Sequence, residues 1–569
     1  MALGSLVYPH STWSQVQSDN VVDDNAVTSS EPEINTEQPE TQQHSQQHDS
    51  VTTPAPPPST AFEDDTELDI PPEEATIATE ESTANQDDTC ILPDELYISP
   101  TEDGTYTPPS PDVSLLNAIH QAAPEDVDSY CRNVFDREHG FNAATPYNED
   151  GKCGKWQDEY TALHQRRLEQ LELIRDGKAD EIEEAPLFIS YLCKEVPVNG
   201  NRGCGGTADR MSGMISTFFY GLLTNRAYLA HWADANPIPL ETLFEKPNVD
   251  WSYKPQEMKQ LFTNKEQGFT YQQVDTLNQK YPVLGKTLFP DGPRQSFDDL
   301  WNGTFVEVRS NRGYIIRTFK ESAVYPKILA EMGLTKQNTF GCLTDYLFRP
   351  TVGSRRFINA YRHLFDMKSV LSIGMQYRVL EIRTDDNALA NPHMDSNDLN
   401  KWDYFLTCAN QLVDAKRKPH HKHVVYFMIT DSIKLRDEFK SLNEDMTKAQ
   451  KYLGANYKTV STVVSGLPVD HIEPDQVEKY IEVENHVDVT IERMTPGTNS
   501  AIIENWLLGY ADYRIISPQG YGKLAAFHSN SDDTTISLPR SQQKDKAPFC
   551  GSDDALATYD WLATQWSLG

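Results

Sequence analysis

From residue 186 onward the chain alternates short, wholly apolar runs with longer stretches that are apolar on one helical face, and few folds accept that pattern. Leu187-Phe188-Ile189-Ser190-Tyr191-Leu192-Cys193 reads as a buried strand. A glycine-rich loop, Gly200 to Gly206, follows it. Met211, Met214, Ile215, Phe218, Phe219, Leu222 and Leu223 then recur at three- and four-residue steps, one helix face with Asp209 and Arg210 at its start. Ala227 to Trp232 reads as the next strand, which completes a βαβ unit. A second series begins near Arg378. Arg378-Val379-Leu380-Glu381-Ile382-Arg383 reads as a strand ending at Thr384-Asp385-Asp386, with Ile373 to Arg378 as the competing placement. Further strands are expected at 424–429, 459–464 and 513–517, and helices at 397–416, 433–452, 500–510 and from Gly522. The fold class is therefore α/β, with two doubly wound parallel domains joined somewhere in 345–378. Ligands of such sheets bind beyond the carboxyl ends of the strands, so those ends are the candidate sites.

Charge divides the chain before any fold argument is needed. Residues 1–131 hold 27 of the 85 Asp and Glu and none of the 50 Lys and Arg, so the net charge of −35 belongs mostly to this segment. The remainder carries 58 acids against 50 bases, which leaves no basic surplus to neutralise nucleic-acid phosphates. Residues 1–112 are rich in Ser, Thr, Pro, Gln, Asp and Glu and too poor in large apolar side chains to offset the entropy of ordering; a disordered acidic tail is expected there, as a spacer or as an arm that contacts other proteins. A cysteine-containing helical stem is expected at 113–185, with one long helix carrying Trp156, Tyr160, Leu163, Leu168, Leu171 and Ile174. The two Rossmann-like domains then occupy 186–365 and 366–569. Eight cysteines are too sparse for a disulfide scaffold, yet Cys131/Cys153 and Cys193/Cys204 are close enough in sequence to bridge, the alternative being buried thiols. No run of 18 apolar residues occurs, and Met1–Asn20 has neither a basic n-region nor an apolar h-region, so neither a membrane segment nor a signal peptide is visible in this chain.

Several loops have the residue types that chemistry at strand ends needs. Gly203-Cys204-Gly205-Gly206-Thr207-Ala208 satisfies G-x-G-x-x-A, but nine residues separate it from the preceding strand, where a dinucleotide site wants a tight turn. A helix start lined by approachable backbone amides survives as the broader reading. Arg383, beside Asp385 and Asp386, is costly at the end of a buried strand unless it meets an anion, and a planar guanidinium suits a diphosphate; a salt bridge to an adjacent aspartate is the plain alternative, and Arg378 competes for the role. Ser517-Pro518-Gln519-Gly520-Tyr521-Gly522-Lys523 offers a hydroxyl, an amide and exposed N–H groups between a strand and a helix. Asp431-Ser432 either accepts hydrogen bonds from a base or ribose or caps the next helix. His420, His421 and His423 have no Cys or carboxylate at ligand spacing, so no metal site is expected. G-x-S-x-G, H-E-x-x-H and G-K-[ST] are absent from the sequence.

Taken in order, these loops resemble a known family. Gly203 to Met211, followed by Thr217-Phe218-Phe219-Tyr220-Gly221-Leu222-Leu223-Thr224-Asn225-Arg226, looks like the N-terminal motif of fucosyltransferases of the xyloglucan-fucosyltransferase type and their fungal relatives. Glu381-Ile382-Arg383-Thr384-Asp385 is similar to the arginine-bearing strand end of α1,6- and protein-O-fucosyltransferases, and Thr430-Asp431-Ser432 to their Ser-Asp-Ser strand end. Glu504-Asn505-Trp506-Leu507-Leu508 through Ile516-Ser517-Pro518-Gln519-Gly520-Tyr521-Gly522 resembles their last motif, with Pro518-Gln519 and Asn505-Trp506 departing from it. The resemblance covers roughly 185–530. It implies a GT-B-like fold, two Rossmann-like halves facing a cleft, and an inverting transfer of fucose from GDP-fucose to a hydroxyl of a glycan or glycoprotein. On that reading Arg383 holds the β-phosphate in place of a metal, so no cofactor is needed. Ser517, Gln519 and Gly520 contact the diphosphate or nucleoside, and Asp431 the ribose or guanine. Gly205, Gly206 and Arg210 line the substrate side, Asp386 stands nearby, and Asp209, Asp385 and Asp386 are the candidates for the base. A secretory, Golgi-lumenal setting is also implied. A degenerate glycosyltransferase-like binding protein is the alternative, and a dinucleotide-dependent oxidoreductase the third.

Overall fold

All strands of both large sheets run parallel, as the alternating pattern requires. The computed structural model describes residues 90–135, 152–193, 205–232, 238–264, 268–277, 279, 281–379, 399–468 and 491–564. In chain order the strands are β1 (Phe188–Leu192), β2 (Ala227–His231), β3 (Phe244–Glu245), β4 (Tyr271–Asp275), β5 (Phe305–Arg309), β6 (Arg349–Pro350), β7 (Val370–Tyr377), β8 (His423–Thr430), β9 (Val460–Val464), β10 (Tyr513–Ile516) and β11 (Thr535–Ser537). The first sheet has the order β2-β1-β5-β4 and the second β11-β10-β7-β8-β9, while β3 and β6 form a short antiparallel pair. Read from β9, the second sheet follows the 3-2-1-4-5 order of a Rossmann half, so the chain reverses its winding direction between β7 and β10.

Burial on both faces dictates which residues make the strands. Every residue of β1, β7 and β8 is buried, as parallel strands covered by helices must be. The helix Ile491–Tyr510 lies so close to β7 that a Cβ on Gly374 would stand 2.6 Å from Leu508 Cδ1. Likewise a Cβ on Gly213, in the helix Thr207–Leu223, would stand 2.3 Å from the Ser310 carbonyl oxygen after β5. The helices Thr207–Leu223 and Gly520–His528, one from each half, pack against one another. Residues from both sheets share a single hydrophobic cluster that includes Met211, Phe218, Phe427 and Leu524.

Two buried arginines satisfy the backbone at the ends of elements. Arg226 donates to the carbonyls of Gly303 (2.7 Å) and Trp301 (2.8 Å) below the first sheet. Arg514 donates to the Gly509 (2.9 Å) and Ala511 (2.7 Å) carbonyls, which closes the C-terminus of the 491–510 helix. Burial lowers the Arg514 pKa to about 10.

Some expectations are corrected. Of the two placements for the strand near Arg378, the competing one at Ile373–Arg378 falls largely on β7, which spans Val370–Tyr377 with Arg378 just past its end; residues 380–383 of the other placement lie outside the described residues. The helix expected at 433–452 is broken into Ile433–Lys440 and Met446–Leu453 by a short 3-10 turn. Cys131 does not pair with Cys153. The bridges are Cys90–Cys131, Cys153–Cys342 and Cys408–Cys550, and Cys193 is disulfide-bonded as well; its expected partner, Cys204, lies outside the described residues. Residues 90–112, the end of the expected tail, place Leu96 and Ile98 in the core. The 113–185 segment reaches both sheets: the Val464 amide of β9 donates to Ser114 Oγ (3.2 Å), and the Tyr160 hydroxyl donates to the Arg226 carbonyl before β2 (2.8 Å). Among the described residues no helix is long and apolar enough to cross a membrane.

The Cys153–Cys342 bridge spans 189 residues of sequence and should contribute strongly. Replacing Cys342 by Ser is expected to cost about 2–5 kcal/mol, read as a lower urea midpoint. A non-reducing peptide map that fails to link the Cys153 and Cys342 peptides would contradict the pairing.

Candidate functional site

In a sheet wound this way, the crevice opens outside the carboxyl ends of the two strands at the reversal, here β7 and β10. Their ends are tied by a short network. Ser517 donates through its amide and its hydroxyl to the Gln376 carbonyl, each at 3.1 Å. The Ser517 amide also reaches Gln376 Oε1 (3.2 Å), and the Arg378 amide donates to Ser517 Oγ (3.1 Å). The neighbouring β8 end joins through Asp431, whose carboxylate accepts from Arg378 Nη1 and from the Val379 amide, both at 2.7 Å. Asp431 is only 12% exposed, which removes much of the solvent screening that weakens surface pairs. The Asp431-Ser432 ambiguity is thereby divided between the two residues: Ser432 caps the next helix by accepting from the Leu435 amide (3.2 Å), while Asp431 turns to the end of β7.

The loop after β10 feeds directly into the helix Gly520–His528, with Gln519 as its N-cap. Gly522 is needed for this approach, since a Cβ there would lie 2.6 Å from Ile516 Cβ and 2.9 Å from Gln376 Oε1. Asn505 is buried and donates to the Tyr521 carbonyl (2.7 Å). Trp506 packs on the His528 ring at 4.6 Å, and His528 Nε2 lies 2.8 Å from Asp345 Oδ1 in the helix Thr339–Leu347. Sequence reasoning assigned nothing to Lys523 beyond its place in the motif. Its side chain is fully buried, its Nζ donates to the Pro518 carbonyl (2.6 Å), and burial pulls its pKa down to about 8. Glu504, also missed, accepts from Ser465 Oγ beyond β9. The one signal for both was a charged residue inside an otherwise apolar helical run.

On the first sheet, Gly205 adopts a left-handed φ of +75°, and Gly206 is the N-cap of the helix Thr207–Leu223. That backbone conformation is what calls for glycine at 205; a Cβ there would also stand 2.4 Å from Asp209 Oδ2, a carboxylate that can rotate aside. Arg210 is 2% exposed; its Nε donates to the Gly205 carbonyl (2.9 Å) and its guanidinium stands 5.1 Å from the Trp232 ring centre. It braces the glycine turn from beneath. Arg383, Asp385 and Asp386 lie outside the described residues, as do Gly203 and Cys204. Of the sequence-derived residues, the structure thus gathers Asp431, Ser517, Gln519 and Gly520 at the carboxyl edge of the second sheet, and Gly205, Gly206, Asp209 and Arg210 at that of the first.

No protein-family model matches the sequence, and no curated protein sequence matches it. Among solved structures, the chain is similar to a mutant of the fucosyltransferase FUT1 of Arabidopsis thaliana in complex with GDP, with 13% identity and a TM-score of 0.44 over 70% of this chain and 81% of that one. It is also similar to the fucosyltransferase NodZ from Bradyrhizobium (12% identity, TM-score 0.29, 60% of this chain and 91% of that one). A NodZ α-1,6-fucosyltransferase crystal soaked with GDP-fucose matches at 13% identity and a TM-score of 0.29, over 62% and 95% of the two chains.

Burial raises the Glu504 carboxyl from 4.5 to about 7. Between those values the folded protein keeps a proton that the unfolded chain has released. The stabilisation is therefore complete below about pH 4.5 and is lost as pH rises through 7. Glu504→Gln is expected to remove this slope and to raise stability at pH 8 by on the order of 1–3 kcal/mol. Urea midpoints at pH 5 and 8 measure it, and an unchanged slope in the variant would count against the assignment.

Proposed function

We propose that this chain is a glycosyltransferase that binds a guanosine diphosphate sugar, GDP-fucose, at the carboxyl ends of β7, β8 and β10. The observation that carries the reading is the network Gln376–Ser517–Arg378–Asp431, assembled at the winding reversal of a Rossmann-order sheet. The sequence resemblance supplies the identity of the donor. Asp431, oriented by Arg378 and the Val379 amide, retains acceptor capacity for ribose or guanine donors. Ser517, Gln519 and Gly520 contact the diphosphate or nucleoside, Ser517 through the loop that its bonds to Gln376 anchor, and Arg383 neutralises the departing β-phosphate, which makes a metal unnecessary.

The reaction proposed is a direct displacement. The acceptor hydroxyl oxygen bonds to the anomeric carbon, the bond from that carbon to the diphosphate breaks, and the configuration inverts. The hydroxyl proton passes to a carboxylate, for which Asp209, Asp385 and Asp386 are the candidates, and GDP leaves with the bonding pair. The acceptor is a glycan or glycoprotein hydroxyl, and the bridged cysteines fit an oxidising, secretory compartment such as the Golgi lumen.

Calorimetric titration of the full chain with GDP, GDP-fucose, GDP-mannose, UDP-sugars and NAD, with and without EDTA, tests this. GDP and GDP-fucose should bind equally well in EDTA. Arg383→Ala should weaken both at least about tenfold, the loss of one charged hydrogen bond to the diphosphate. Asp431→Asn should also weaken them. Binding of NAD alone would replace the proposal with an oxidoreductase, and binding of none of these ligands would overturn it.

A further inference from the structure

A lysine is a poor choice for the inside of a helix packed on a sheet. Lys523 is the fourth residue of the helix Gly520–His528, and its side chain is 0% exposed. Its neighbours Leu524, Ala525, Ala526 and Phe527 are buried in the core that the two halves share. A methionine of nearly the same shape would fill the space without the desolvation cost of an ammonium. The cation also sits in the first turns of its helix, where the backbone dipole is already positive. Both effects oppose the charge, which agrees with a pKa drawn down to about 8.

One bond of the ammonium bears directly on the loop. Nζ reaches back to the Pro518 carbonyl, five residues earlier, at 2.6 Å. The described chain contains no cis peptide, and across a trans peptide the carbonyl and the following N–H point in opposite directions. Turning the Pro518 carbonyl in toward Lys523 therefore turns the Gln519 N–H to the other side of that peptide plane. The preceding residue is fixed as well, since Ser517 is held by the Gln376 carbonyl and accepts from the Arg378 amide. The Pro518 carbonyl is thus held by a buried ammonium, and the residue before it by a strand end.

We propose that Lys523 is a positioning residue for the nucleotide's diphosphate: by holding the Pro518 carbonyl inward, its buried ammonium presents the Gln519 amide, and the loop as a whole, to phosphate oxygens. This rests on the nucleotide reading above and adds to it the group that sets the geometry of the phosphate loop. Lys523 itself makes no contact with the ligand. Its charge nevertheless favours an anion on the far side of the loop, because little water intervenes to screen it.

The test compares ligands with and without the diphosphate, which a purely structural role would not tell apart. Wild type, Lys523→Met and Lys523→Gln, as full chains, are titrated with GDP and with guanosine, and their thermal midpoints are recorded. Lys523→Met is expected to fold with an unchanged or higher midpoint and to bind GDP at least tenfold more weakly, with guanosine affinity within twofold of wild type. Lys523→Gln, which keeps a donor for the Pro518 carbonyl, is expected to retain more GDP affinity than Lys523→Met. GDP affinity in Lys523→Met equal to wild type overturns the proposal, as does an equal loss for guanosine. Should Lys523→Met fail to fold, the same comparison is made on Lys523→Gln, where GDP must still weaken more than guanosine. A wild-type chain that does not bind GDP defeats the nucleotide reading itself, before any variant is compared.

Discussion

Two parallel sheets covered on both faces leave a chain very few places to keep polar side chains, and the architecture follows from that restriction. Hairpins cannot join parallel neighbours, so each strand is followed by a crossover that returns the chain to the same end. Polar groups accumulate at the two rims. At the rim or element end away from the candidate site they are structural, as Arg226 and Arg514 show by spending their guanidinium donors on backbone carbonyls. At the carboxyl rim the same residue type behaves differently. Arg378 reaches an aspartate on the neighbouring strand, beside a serine whose hydroxyl links two strand ends.

That contrast explains why the sequence motifs do not all mean the same thing. The arginine closing the Leu-Leu-Thr-x-Arg pattern, Arg226, is a clamp beneath the first sheet, and Arg210 supports the Gly205 turn from below. Asn505 holds the Tyr521 carbonyl, so it stabilises the start of the helix Gly520–His528. A residue that recurs in a motif and carries a charge is thus as often part of the frame as part of the site.

Much of the fold was legible because buried parallel strands spell themselves as apolar runs; β1, β2, β8 and β10 lie within two residues of where the sequence places them. β7 was harder. Its Ser372, Gly374 and Gln376 interrupt the apolar run, and each has a local reason: Asp512 accepts from the Ser372 hydroxyl, Leu508 packs where a Gly374 side chain would be, and Gln376 binds Ser517. None of these reasons is visible without the fold. The edge strand β4, Tyr-Gln-Gln-Val-Asp, has one buried residue and no periodicity to read. Bridges across 142 and 189 residues leave no spacing signal at all, whereas Cys131 and Cys153 invite a local pairing that the structure does not form. At the site, Asp431 and Ser517 could be picked out because they end strands. Lys523 and Glu504 could not, since only tertiary packing makes a charged helical residue interior.

The disulfides divide the chain into covalent rings that leave the passage from the first sheet to the second unbridged. One ring closes between Cys153 and Cys342 and another between Cys408 and Cys550, and the remaining cysteines all precede residue 343. No bridge therefore spans 343–407. A backbone break at 380–398 would yield two pieces with no covalent link, yet the first piece would carry β7, the middle strand of the second sheet, flanked by β8 and β10 from the other piece. The halves of this protein are interlocked by a strand and not by a bond. Parting them means unzipping the centre of a sheet, so such a nicked chain would behave in solution as a tight heterodimer of its own fragments.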